Sequence, residues 1–88
     1  MSNADEIKPG VTILVPTGAD PLRPRSAYRL AVTWVGNVSA DGTYIRVNGD
    51  LQRLDGSPSM RRTPQGRIVR TFSTPPVLPL AEIKVVER

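Results

Sequence analysis

Cysteine and histidine are both absent from this 88-residue chain. Without Cys there are no disulfides and no thiolate nucleophile. With His missing as well, the usual ligands for zinc and transition metals are gone, and so are the commonest general base and any Ser-His or Cys-His pair. Catalysis would fall to isolated Asp, Glu, Ser, Lys or Arg. The expectation is therefore a non-catalytic protein with no metal and no cofactor. Aromatics are scarce too, namely Tyr28, Trp34, Tyr44 and Phe72. The longest largely apolar run, "LAVTWV", is far too short to span a bilayer, so no membrane contact is expected. The N-terminal "MSNADEIKPG" is polar and acidic, unlike a secretory signal, and a cytoplasmic location is the default. No window sustains the 3.6-residue period of an amphipathic helix.

What the chain has instead is arginine. Residues 21 to 72 hold nine Arg against Asp41, Asp50 and Asp55, a balance of +6 within a net charge of +4. Residues 1 to 20 carry −2, and residues 73 to 88 are neutral. Arg makes planar, bidentate contacts with phosphate. A GC-rich coding bias also favours Arg over Lys, so the enrichment alone does not assign a role.

Length allows one domain with a small core. Residues 1 to 10 read as a flexible leader and 11 to 88 as the domain. "VTILV" is strand-like and stops at Pro16. "PTGADPLRPRSA" is a long loop, a length that is often functional. In "YRLAVTWVGNV", Leu30, Val32 and Trp34 share one strand face, and Trp34 is expected in the core. "TYIRV" and "DLQRL" flank Asn48-Gly49, a favoured two-residue hairpin turn. Thr63-Pro64-Gln65-Gly66 fits a type I turn followed by a glycine bulge. "RIVRTFS" is a further strand, Pro75 and Pro76 exclude a central strand there, and Pro79 to Glu82 fit one helical turn. "EIKVVE" closes the chain along an edge. The predicted core is Val11, Ile13, Val15, Leu30, Val32, Trp34, Ile45, Val47 and Ile83. Asp41, Asp50 and Asp55 each adjoin a Gly and read as turn residues, not as a convergent site.

The fold class is thus all-β, with five to six short antiparallel strands and one short helical turn before the last. The order of strand, long loop, central strands, helical turn and closing strand resembles the SH3-like small barrels. "KPGVTILV" matches their first strand, "PTGADPLRPRSA" their long first loop and "PLAEIKVVE" their closing segment. The likeness lies nearer the bacterial and ribosomal members that bind nucleic acid or act as assembly adaptors than the signalling members, whose groove is rich in aromatics and acids.

Two clusters are candidate nucleic-acid contacts. Arg61, Arg62, Arg67 and Arg70 lie in a stretch, 57 to 72, without an acid. An Arg-rich turn can lie along phosphates or enter a narrow minor groove. Within it, Gln65-Gly66-Arg67 is similar to the short minor-groove motif of histone-like nucleoid-structuring proteins, which implies a glycine at the groove floor flanked by Gln and Arg. Arg23, Arg25 and Arg29 lie near Tyr28, the composition of a stacking-plus-phosphate platform. The alternative for Tyr28 is that it begins a strand and covers the end of the core. Two functions remain in play. One is a module contacting DNA or RNA backbone through basic loops. The other is a protein–protein adaptor or assembly module of the kind phages and plasmids encode, docking an acidic partner through its first loop and closing edge strand.

Overall fold

The computed structural model describes residues 4–21, 24–70 and 77–88. A 3-10 turn, Ala4–Glu6, precedes seven strands: β1 Thr12–Val15, β2 Tyr28–Val38, β3 Tyr44–Gln52, β4 Met60–Arg62, β5 Ile68–Arg70, β6 Val77–Pro79 and β7 Lys84–Glu87. Five form one antiparallel sheet in the order β6-β3-β2-β1-β7, and β4 and β5 pair separately as a hairpin. Among the described residues β6 and β7 do not pair with each other, so the sheet stays open and is not the closed barrel expected from sequence. The anticipated helical turn at Pro79–Glu82 is a hydrogen-bonded turn, with Glu82 N–H donating to the Pro79 carbonyl at 3.1 Å.

Packing follows the strand period. Ile13 and Val15 of β1, Leu30 and Val32 of β2, and Ile45, Val47 and Leu51 of β3 point into one cluster, with Leu78, Leu80 and Ile83 closing it from the C-terminal side. Ile13, Leu30, Ile45, Leu78 and Ile83 are among the fully buried residues, each worth about 1.5–3 kcal/mol against an exposed side chain. The segment read as a leader contributes to this core: Ile7 is buried in the cluster, and Gly10 N–H bonds the Val32 carbonyl at 3.0 Å. The first loop is tied down as well. Asp20 is fully buried and accepts a 2.6 Å hydrogen bond from the Tyr28 hydroxyl. Tyr28 is itself buried, so it caps the core and is not a stacking platform.

Two sequence expectations fail at one place. Asn48-Gly49 is not a hairpin turn. It lies inside β3, whose burial alternates without a break from Ile45 to Leu51. Asp50, read as a turn residue with it, is likewise a strand residue. The register explains the glycine. Val32 pairs with Gly49 and Trp34 with Asn48, so Thr33 is an extra residue in β2, a β-bulge. At the bulge β2 presses onto β3: a β-carbon on Gly49 would sit 2.0 Å from the Ala31 carbonyl oxygen. The bulge also reverses which side chains face inward. Before it, Tyr28, Leu30 and Val32 face the core. After it Val35 packs against the core, and Trp34 is turned outward and 46% exposed. Trp34 therefore leaves the predicted core, and the other eight members are buried.

Gly49→Ala should destabilise the domain by roughly 1–3 kcal/mol or more, because the obstacle is backbone and β2 must shift. Gly36→Ala should cost less. The nearest obstacle there, at 2.5 Å, is the outer edge of the Trp34 ring. Urea melts of both variants check the order, and equal losses would contradict the close approach at Gly49.

Candidate nucleic-acid interface

The "RRTPQGRIVR" stretch forms the β4–β5 hairpin expected of it. Met60 pairs with Arg70, Arg61 with Val69 and Arg62 with Ile68. Thr63 N–H donates to the Arg67 carbonyl at 2.8 Å and Gly66 N–H to the Thr63 carbonyl at 2.9 Å. Gly66 sits at φ +84°, the left-handed position where glycine is unstrained. Gln65, Gly66 and Arg67 thus occupy the hairpin tip. An almost identical turn forms at 53–57, where Asp55-Gly56 was expected to turn the chain. There Arg53 N–H bonds Ser57, Gly56 N–H bonds Arg53, and Gly56 has φ +90°. It sends the chain back beside β3, where Ser59 N–H bonds the Leu51 carbonyl, and so roots the hairpin on the sheet.

Beyond that root the hairpin packs chiefly on itself. Every residue of β4 is exposed, and of β5 only Val69 is partly covered. A two-stranded ribbon with no covered face gains little from apolar burial. Arg70 reaches Asp50 on β3 at 3.6 Å, a solvated ion pair of small energetic weight. Arg61, Arg62 and Arg67 have no carboxylate partner among the described residues.

The second predicted cluster does not assemble as a site. Arg23 lies outside the described residues. Arg25 is an exposed loop residue. Arg29 is spent inside the fold, its guanidinium 2.9 Å from Glu87 of β7 and its side chain only 17% exposed. That pair ties β2 to the far edge strand.

Sequence reading missed a second surface feature. A groove of about 500 Å³ is lined by Trp34, Gly36, Val38, Tyr44, Arg46 and Val77 together with Asn37 and Ser39. Trp34 and Tyr44 are each nearly half exposed. The signal that could have located it is Gly36, two residues after Trp34, over which the indole lies. Ser39 closes one wall and is held by Asp41. The Ser39 hydroxyl donates to the Asp41 carboxylate at 2.6 Å, as do the Thr43 hydroxyl at 2.7 Å and the Thr43 N–H at 3.1 Å. These bonds, Ser39 foremost, hold the Asp41 carboxyl down at about 2. Asp55 is lowered likewise, chiefly by the Ser57 hydroxyl. Both are turn residues, as expected.

No protein-family model matches the chain, and neither a curated protein nor a solved structure is detectably similar to it. Among the described residues no helix is long and apolar enough to cross a membrane.

The depressed Asp41 carboxyl fixes the sign of a pH effect. A group held below its ordinary value contributes stability above that value and loses it as pH falls through the folded one. The Ser39–Thr43 turn should therefore hold at pH 4 and loosen as pH drops from about 3.8 to about 2. Carboxyl NMR titration should place the Asp41 midpoint near 2, and Asp41→Asn should remove that turn's response in this window. A midpoint near 3.8 would refute the bonding described.

Proposed function

We propose that this chain is a non-catalytic SH3-like module that grips nucleic-acid backbone through the β4–β5 hairpin. The strand order β6-β3-β2-β1-β7, with β1 flanked by β2 and the last strand, supports the SH3-like reading of an open rather than closed sheet. One observation carries the function. Arg61, Arg62 and Arg67 stand on an exposed ribbon with no acid from residue 57 to residue 70 and no carboxylate partner among the described residues. Cations left uncompensated on a projecting element favour a polyanion, and phosphate contacts of this kind position a protein without reading sequence. In this reading Gln65 and Gly66 at the hairpin tip approach the backbone or the minor groove beside Arg67.

The adaptor reading is favoured by a different observation. Among the described residues no strand pairs with the outer edge of β7, and Met60 and Ile68 expose apolar surface on the hairpin. An acidic protein strand could then meet the same arginines.

Salt dependence separates the two. Each B-DNA phosphate neutralised contributes about −0.9 to the slope of log K against log salt. Replacing Arg61, Arg62 and Arg67 by Ala should make that slope shallower by about two to three. Gly66→Val strains the tip but keeps the charges. If the triple variant binds DNA and RNA as the parent does, the hairpin is not the contact and the adaptor reading gains. If Gly66→Val alone leaves affinity intact, charge rather than tip shape carries the binding.

A further inference from the structure

Resting on that reading, we propose that the groove between Trp34 and Tyr44 is a base-stacking site, and that the ligand is a single strand with unpaired bases. Among the described residues the groove's lining offers two exposed aromatic side chains, one Arg and no carboxylate. Arg46 has no carboxylate partner among the described residues. Aromatic faces beside an unpaired guanidinium suit a nucleobase and its phosphate.

The register places this groove and the hairpin on one side of the sheet. On β3, Ile45, Val47 and Leu51 are buried, so Tyr44, Arg46, Asn48 and Asp50 share the opposite face. Trp34 pairs with Asn48 and faces the same way because of the bulge. Asp50 on that face receives Arg70 from the hairpin root. Tyr44 and Asp50 are six strand positions apart, about 20 Å. A strand seated in the groove therefore reaches the arginine ribbon within roughly the 4–16 nucleotides that a small β domain covers. Of the acids at the two ends of this path, Asp50 is ion-paired with Arg70, while Asp41 keeps its charge with its oxygens turned to the hydroxyls of its own turn. Duplex bases are stacked on one another and cannot enter, so the groove converts backbone affinity into preference for single strands.

Trp34 is the chain's one tryptophan, so its emission reports this site alone. The full chain is titrated with ten-residue oligo(dT), ten-residue oligo(rU), an abasic strand of equal length and a random duplex, following Trp34 fluorescence and oligonucleotide anisotropy. Oligo(dT), oligo(rU) or both should quench Trp34, whereas the abasic strand and duplex should bind more weakly without quenching. Which of the two quenches more assigns DNA or RNA. Tyr44→Ala should weaken oligo(dT) binding roughly 5- to 150-fold, the usual loss for one base–aromatic stack. Trp34→Phe should retain binding that Trp34→Ala loses. Both positions are exposed, and thermal melts identify any variant that fails to fold.

Binding of oligonucleotide without quenching, or equal binding of abasic and base-bearing strands, overturns the stacking site and leaves the hairpin reading standing. Quenching that survives replacement of Arg61, Arg62 and Arg67 with undiminished affinity supports the groove and removes the hairpin. Absence of any nucleic-acid binding removes both. Stronger quenching by an oligoproline peptide than by any oligonucleotide, or emission that shifts with protein concentration alone, reassigns the groove to protein and overturns the proposal.

Discussion

The β-bulge in β2 opposite Gly49 is the constraint on which the rest of the sheet depends. An 11-residue strand with strict alternation would carry one face inward along its whole length. The extra residue at Thr33 lets β2 bring Leu30 and Val32 to the core beside β1, then Val35 beside Val47 of β3. Bulges bend a strand and increase its twist. The bend needs the two backbones in contact at Ala31 and Gly49, a separation that only a residue without a β-carbon allows. One glycine thus fixes both the course of the central strand and the outward position of Trp34.

The two irregular segments flanking this sheet are held very differently. The first loop is pinned through a buried polar contact, the Tyr28 hydroxyl on the Asp20 carboxylate. A hydrogen bond to a buried charge is among the stronger single contacts in a fold. Among the described residues the β4–β5 hairpin shows no comparable anchor. Its root is held by backbone bonds to β3 and a solvated Arg70–Asp50 pair, and its strands bury little. Interior stability and surface availability are thereby separated along the chain.

Charge follows the same division. Arg29 and Glu87 are consumed in joining β2 to β7, and Asp50 is met by Arg70. Among the described residues, the cations without a carboxylate partner include Arg46 on the outer face of β3 and Arg61, Arg62 and Arg67 on the ribbon. The proposed interface is the residue of this pairing: it is defined as much by which arginines are spent as by how many there are.

The strand-rich class, eight of the nine predicted core residues, the Thr63–Gly66 turn and the edge position of the last strand were all legible in the sequence. Each of these rests on local chemistry, namely two-residue alternation, β-branching, or a glycine at positive φ. Asn48-Gly49 shows where local chemistry runs out. The same dipeptide suits a tight turn and a close interstrand approach, and only the partner strand decides between them. Trp34 was misplaced for the same reason, since the extra residue at Thr33 inverts the faces of Trp34 and Val35, until a second register shift between Val35 and Val38. The Trp34–Tyr44 groove was illegible because its residues come from β2, β3 and β6 and meet only through register. Only the packing of strands makes Arg29 an internal tie and leaves Arg61, Arg62 and Arg67 without a carboxylate partner among the described residues. Charge can be counted in a sequence, but whether a charge is already neutralised depends on which strand lies beside it.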